Sequence, residues 1–304
     1  MALEVKAAVV PHLGTWRSRR VTGIAASGDP TFSIDDIAEE AIEHFLQKHG
    51  LNIAYYSEDK GLVQVEAGKT PEGLLIIDPI DGTRAAIAGL ESCVVSIAWA
   101  DYVEAPTFQN VRYAGITEIK GDLTFTAGRG EGVQILDGKG NRIEPFLAPT
   151  TEISAMAWTL GAVGAPLEYL FNILKEITNT TTLRGGFFIL NSSAYELTRM
   201  VTGQFSGVID VRTRLLHDFP ETRELFCQYG GGRPVSLFGY DIAAAGFIAQ
   251  EAGCTVTDAW GRSLNNWNLL DTREANFGSV VAASNPTLHA RIMETIEAGF
   301  ALGI

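Results

Sequence analysis

The chain has 304 residues, of which 46% are hydrophobic and 19% charged, with a formal net charge of -13. That length can bury about three quarters of the unfolded surface in one large or two closely packed domains, and the acidity argues against a nucleic-acid binder, which needs clustered Lys and Arg. Cys93, Cys227 and Cys254 are odd in number and lack CxxC spacing, which excludes a disulfide framework or thiolate zinc site and leaves each as a small hydrophobe. The five histidines show no HxxxH or HExxH spacing. Residues 1–14 lack a basic segment followed by a long apolar core, and no run of eighteen apolar residues occurs. A soluble cytoplasmic protein is expected.

The first twenty residues read as a helix bent at Pro11, and 27–30 as a loop. Ser33 and Asp36 have capping-box spacing, and apolar residues recur at helical period to about Lys48, with Gly50 as the stop. Asp35 and Glu39 share one stripe of this helix; favourable charge in its first turn is their bland reading. A strand over 52–57 runs into the acidic turn Glu58-Asp59-Lys60-Gly61. Leu74-Leu75-Ile76-Ile77 then reads as a buried strand, followed at once by Asp78-Pro79-Ile80-Asp81-Gly82-Thr83. Strands over 94–100, 111–116, 123–127 and 133–136 complete a largely antiparallel sheet, with a tight connection over 137–141. Pro145 and Pro149 flank the expected boundary between an N-terminal α+β subdomain, 1–147, and a C-terminal α/β subdomain, 148–304.

The second half alternates strands and helices: a strand over 153–160, a helix over 167–177, a short strand at 183–184, a helix over 192–202 and a strand over 205–211. Residues 213–238 interrupt this rhythm and are expected to form a mobile excursion with a short helix, a surface loop or a substrate lid. Gly239-Tyr240-Asp241 opens a helix to about Ala252 whose Ala243-Ala244-Ala245-Gly246 run suits close packing. Asp241 is either its N-cap or a ligand pointing from its start. A strand over 254–257, a strand over 279–283 and a helix over 286–298 end the chain.

The chemistry concentrates at Asp78 and Asp81. At about 4 Å and an effective dielectric near 20, two carboxylates repel by roughly 4 kcal/mol. A hard divalent cation, Mg²⁺ or Mn²⁺, is the natural counter-charge, and an ordinary Asp/Pro/Gly turn is the alternative.

Taken together, Gly28-Asp29-Pro30-Thr31, Asp35 to Glu39, Ser57-Glu58-Asp59, Asp78 to Thr83, and Tyr240-Asp241-Ile242-Ala243-Ala244-Ala245-Gly246 through Gln250-Glu251-Ala252-Gly253 resemble the inositol monophosphatase family of metal-dependent phosphatases. That family includes archaeal-type fructose-bisphosphatases. Ser192 to Leu197 and Val280 to Asn285 resemble two further family blocks, so the matches run in family order over nearly the whole chain. The resemblance implies a layered αβαβα sandwich, a substrate class of small phosphate monoesters, lithium sensitivity and a homodimer. It implies one Mg²⁺ on Glu58, Asp78 and the Ile80 carbonyl, a second on Asp78, Asp81 and Asp241, and a third, weaker ion near Glu58. Asp35 and Thr83 would orient or deprotonate the attacking water, Gly82 and Thr83 would offer N–H groups to phosphate, and Asp210, Arg212 and Arg184 would contact substrate, Arg184 across a dimer. Fructose 1,6-bisphosphate or a nucleotide 3′-phosphate are alternative substrates, and a non-catalytic sugar-phosphate binder is the alternative of another class. Three departures bear on substrate: Asp59 where the family usually has Glu, Arg84-Ala85-Ala86 where it often has Asn, and a longer stretch between Asp210 and Asp241.

Overall fold

The computed structural model of the protein describes residues 1–25, 30–66 and 68–303. Gly28 and Asp29 of the first motif, and with Ser27 most of the loop expected over 27–30, lie outside them.

Alternation along one strand explains the layering. In Leu74–Asp81, Leu74 and Ile76 enter one core while Leu75 and Ile77 enter another, so the whole run is buried. This strand lies inside an eight-stranded sheet that runs from the edge Arg142–Ile143 through Gly132–Leu136, Thr124–Gly128, Val111–Glu118 and Val94–Ala100 to Leu74–Asp81, Ala54–Ser57 and Gly61–Gln64. All its pairings are antiparallel except Ala54–Ser57 with Leu74–Asp81. A second, five-stranded sheet orders Gly186–Phe188, Ala157–Leu160, Gly207–Asp210, Val280–Ala283 and Thr255–Thr257, with two parallel pairs followed by two antiparallel ones.

Helices Ala2–Val9 and Ser33–His49 cover the outer face of the large sheet through Val5, Ile34, Ile42 and Leu46. Helices Ser193–Val201 and Gly239–Glu251 fill the space between the sheets, and Leu167–Ile173, Lys175–Thr181 and Pro286–Leu302 cover the small sheet from outside. The result is the expected αβαβα sandwich. The small residues of Gly239–Glu251 allow its central position, and a Cβ on Gly246 would lie 2.8 Å from Ile242 Cγ2. Among the described residues, no helix is long and apolar enough to cross a membrane.

Several local expectations shift. Val21–Ile24 and Pro30–Phe32 form an antiparallel pair that the sequence did not signal, because every residue of the first is exposed. The expected helix over 167–177 is two helices meeting at Leu174, and the strand expected at 183–184 lies instead at Gly186–Phe188. The 213–238 excursion is no simple surface loop: helices Arg212–Asp218 and Arg223–Tyr229 anchor it through the buried Leu215 and Phe226. Cys93 and Cys254 are buried as expected, whereas Cys227 is half-buried.

Candidate active site

The end of strand Leu74–Asp81 is built to stop pairing. Its antiparallel register with Val94–Ala100 shifts between Asp78 and Asp81, where Pro79 has no N–H to donate. Gly82 then turns the chain at φ +89°, a conformation that disfavours side chains, and a Cβ there would lie 2.2 Å from Ser92 O. Helix Thr83–Ala88 follows directly.

Two other acids reach the same cavity by a shared device. Asp35 and Asp241 each occupy the third position of a helix and accept the backbone N–H of the Phe before it, Phe32 at 2.8 Å and Phe238 at 2.6 Å. The capping box therefore uses Asp35 rather than Asp36, and Asp241 is not the N-cap residue. Each carboxylate is aimed by its own helix start, which no apolar pattern encodes.

Asp35, Glu58, Asp78, Ile80, Asp81, Gly82, Thr83, Arg212 and Asp241 all line one cavity of about 100 Å³. Asp78 accepts the Ile80 N–H at 3.1 Å. Asp81 accepts from the Ser192 hydroxyl at 3.0 Å and from the Ala194 N–H, which ties the large sheet to the central helix Ser193–Val201. Thr83 Oγ1 lies 3.2 Å from Asp35 Oδ1 and 3.0 Å from the Ile80 carbonyl. Burial pushes the Asp78 carboxyl well above the usual carboxylate range, and the charges of Asp81, Glu58, Asp241 and Asp35 push it further. Burial also raises Asp35 to about 7 against the Phe32 N–H, and Asp81 to about 6 against its Ala194 and Ser192 partners.

Carboxylates crowded in this way need a cation or a proton. The donor set is all hard oxygen, Asp and Glu carboxylates with the Ile80 carbonyl beside them, and it fits Mg²⁺ or Mn²⁺. Among the described residues, no three or more His, Cys, Asp or Glu side chains already stand close enough together to hold a metal ion, so an ion bound here would have to draw the carboxylates inward. One oxygen on each of Asp78, Asp81 and Asp241 is tethered to a backbone N–H, which sets the direction of the carboxylate before any ion binds.

The three substrate candidates are placed differently. Arg212 reaches the cavity, but its Nε and Nη2 bond Asp210 at 3.0 and 2.6 Å while Nη1 donates to Val163 O at 2.6 Å. The pair is buried. Asp210 packs behind Gly161, where a Cβ would meet its Oδ2 at 2.3 Å. Arg184 lies outside the cavity, exposed and paired with Glu152 at 3.1 Å. Glu196 and Ser192 were the omissions: both line the cavity from the Ser192 to Leu197 block, whose helical pattern carries no sign of which polar face turns inward. Asp59, noted only as a departure, also lines it and accepts from Thr31 Oγ1 at 2.5 Å.

Comparison with known proteins agrees with this arrangement. Residues 4–299 match the model of the inositol monophosphatase family. A fructose-1,6-bisphosphatase/inositol-1-monophosphatase of Methanothermobacter thermautotrophicus is 29% identical over 98% of this chain and 94% of that protein. An inositol-1-monophosphatase of Aeropyrum pernix is 26% identical over 89% of this chain and 86% of its own. Among solved structures, the extragenic suppressor protein SuhB of Bartonella henselae superposes with a TM-score of 0.70 at 18% identity, covering 97% of this chain and 95% of that one, which shows a shared fold. With a match spanning almost every element from the first helix to the last, the chain belongs to the inositol monophosphatase family, and it is a metal-dependent phosphoric monoester hydrolase.

Proposed function

We propose that the protein hydrolyses a sugar or polyol phosphate, inositol monophosphate or a related ester, by direct attack of water. The observation that carries this reading is the convergence of Asp35, Glu58, Asp78, Asp81 and Asp241, drawn from separate elements, on one cavity beside Thr83. In this reading Glu58, Asp78 and the Ile80 carbonyl would hold one Mg²⁺, Asp78, Asp81 and Asp241 would hold a second, and a third ion would lie near Glu58. Bound there, the ions would offset charge on the phosphoryl oxygens and lower the pKa of the attacking water.

The chain's own groups supply the rest. Asp35 orients the water and takes its proton, its carboxylate aimed by the Phe32 N–H and within reach of the Thr83 hydroxyl. The Thr83 hydroxyl, within hydrogen-bond distance of Asp35, holds that water in line. The N–H groups of Gly82 and Thr83 receive a phosphoryl oxygen. Water oxygen bonds to phosphorus, the ester P–O bond breaks, and the alcohol leaves with a proton returned from solvent or Asp35. Asp210 and Arg212 act as one neutral pair at the alcohol side, so Arg212 reads a second phosphate only by giving up bonds to Asp210. Fructose 1,6-bisphosphate is the second reading, favoured by the relative that carries both activities in its name.

The test is phosphate release with Mg²⁺ across inositol, hexose, bisphosphate and nucleotide esters, beside Asp81→Asn. Release by the parent and a loss of at least a hundredfold in the variant are expected. Equal release by the two proteins would remove Asp81 from the site.

A further inference from the structure

The acid-lined cavity is crowded with negative charge. The five acids of the proposed reaction are joined there by Asp59 and Glu196, and among the described residues its only Lys or Arg side chains are Arg84 and Arg212. A phosphate ester is close to a dianion at neutral pH. Two divalent ions would leave one negative charge over from five ionised acids, and the dianion adds two more. Attraction for the substrate therefore falls to a cation that the protein itself supplies. Arg212 does not supply it, because Asp210 cancels its charge and Val163 O holds its Nη1.

Arg84 is placed for that task. It is exposed, and among the described residues its side chain makes no hydrogen bond, ion pair or ring contact. All of its donors are therefore available to an anion that arrives from solvent. Its backbone is fixed all the same. Arg84 is the second residue of helix Thr83–Ala88, the next two residues, Ala85 and Ala86, are buried, and the Gly14 N–H donates to Ala86 O at 3.0 Å. It follows directly on Gly82 and Thr83, whose N–H groups receive a phosphoryl oxygen in the proposed reaction. Arg84 also borders an adjoining cavity, which places it on the rim between the two.

We propose that Arg84 is a catalytic residue whose guanidinium donates to the non-bridging oxygens of the scissile phosphoryl group, more strongly as negative charge spreads over them in the transition state. The planar fork suits two such oxygens at once. It keeps its protons throughout, so water still bonds to phosphorus and the alcohol leaves as described above. The Arg84-Ala85-Ala86 departure from the family pattern then concerns the phosphate and not the alcohol. The proposal rests on the hydrolytic reading of the acid cavity and adds to it the cation that holds the reacting group.

The test compares the parent, Arg84→Ala and Arg84→Lys as full chains with Mg²⁺. It reads kcat and KM on myo-inositol 1-phosphate, glycerol phosphate and fructose 1,6-bisphosphate, and the affinities for Mg²⁺ and for inorganic phosphate by calorimetric titration. Arg84→Ala should lower kcat/KM about 10- to 100-fold on all three esters, with kcat falling as well as KM rising, and should weaken phosphate about tenfold. Arg84→Lys should recover part of both losses, since a point charge replaces the fork. Mg²⁺ affinity should hold or rise in Arg84→Ala, because a positive charge near the ions is gone. A fall in Mg²⁺ affinity would mean that Arg84 only shapes the site, and would overturn the assignment. Unchanged phosphate affinity or unchanged kcat/KM in Arg84→Ala would do the same, as would a loss confined to the bisphosphate, which would place Arg84 on the leaving group; each leaves hydrolysis intact. No release from any ester by the parent would remove the hydrolytic reading, and the catalytic role of Arg84 with it.

Discussion

Glu196 illustrates how one side chain stores a dependence on pH. It is buried against the acid cavity, where the Thr159 hydroxyl donates to Oε2 at 3.1 Å and Oε1 has no hydrogen-bond partner among the described residues. Burial, with the charge of Asp81 added, raises its carboxyl from 4.5 to about 8. The folded protein therefore keeps a proton that the unfolded chain has lost. Its contribution to stability is complete below the unfolded pKa and disappears as pH rises through about 8, a change of at most roughly 5 kcal/mol. Glu196→Gln copies the protonated form and cannot ionise. In metal-free buffer the variant should match the parent near pH 4 and exceed it in stability at pH 9, by urea unfolding. Parallel curves for the two proteins would show that Glu196 does not carry this dependence. The acids at Asp78 and Asp81 were legible because they sit in a motif of unusual composition. Glu196 was not, since a Glu on a mixed helix ordinarily faces water.

At the scale of elements, helix Ser193–Val201 is locked to the large sheet by an ion pair. Arg199 Nη2 lies 2.5 Å from Glu118 Oε1, both side chains are about 7% exposed, and the guanidinium sits 4.5 Å from the Tyr195 ring centroid and 5.5 Å from that of Phe125. Removing one partner of a buried pair strands the other charge, at a cost of about 3–5 kcal/mol. Arg199→Ala should lose that much in urea denaturation at pH 7. Combining Arg199→Met with Glu118→Gln should recover over half of it, because the Gln carbonyl can still accept the Leu123 N–H that Glu118 Oε2 now holds at 3.1 Å. A loss below about 1 kcal/mol in Arg199→Ala would mean that the pair is screened as a surface bridge is.

No sequence pattern announces this contact, since its partners stand 81 positions apart. Patterning did reveal the elements with one buried face. Val94–Ala100 is the strand expected over 94–100, and Ser33–His49 ends where Gly50, at φ +57°, was taken as a stop. Edge elements were lost or displaced because they have little to alternate: Val21–Ile24 is wholly exposed, and Gly186–Phe188 has no buried residue. The acid cavity was readable because its ligand types are rare in strand ends.

Across the whole molecule, the acid cavity joins layers that elsewhere meet through apolar packing and polar ties such as Arg199–Glu118. Asp78 and Asp81 belong to the large sheet, Asp35 to an outer helix and Asp241 to a central helix, and a cation among them would hold three layers at one point. Without a cation the same acids oppose folding, as the raised Asp78 carboxyl records. Two consequences of opposite sign follow. Mg²⁺ at about 100 times its dissociation constant should stabilise the fold by about 2.7 kcal/mol, which raises Tm by several degrees; KCl at equal ionic strength should not reproduce the rise. Asp78→Asn removes a strongly opposed charge, so in EDTA its Tm should equal or exceed that of the parent, while in Mg²⁺ the order should reverse because a ligand is lost. If Asp78→Asn were destabilised equally in EDTA and in Mg²⁺, the carboxylate would be serving the strand end through its bond to the Ile80 N–H, and the cation would have to be held by the remaining acids.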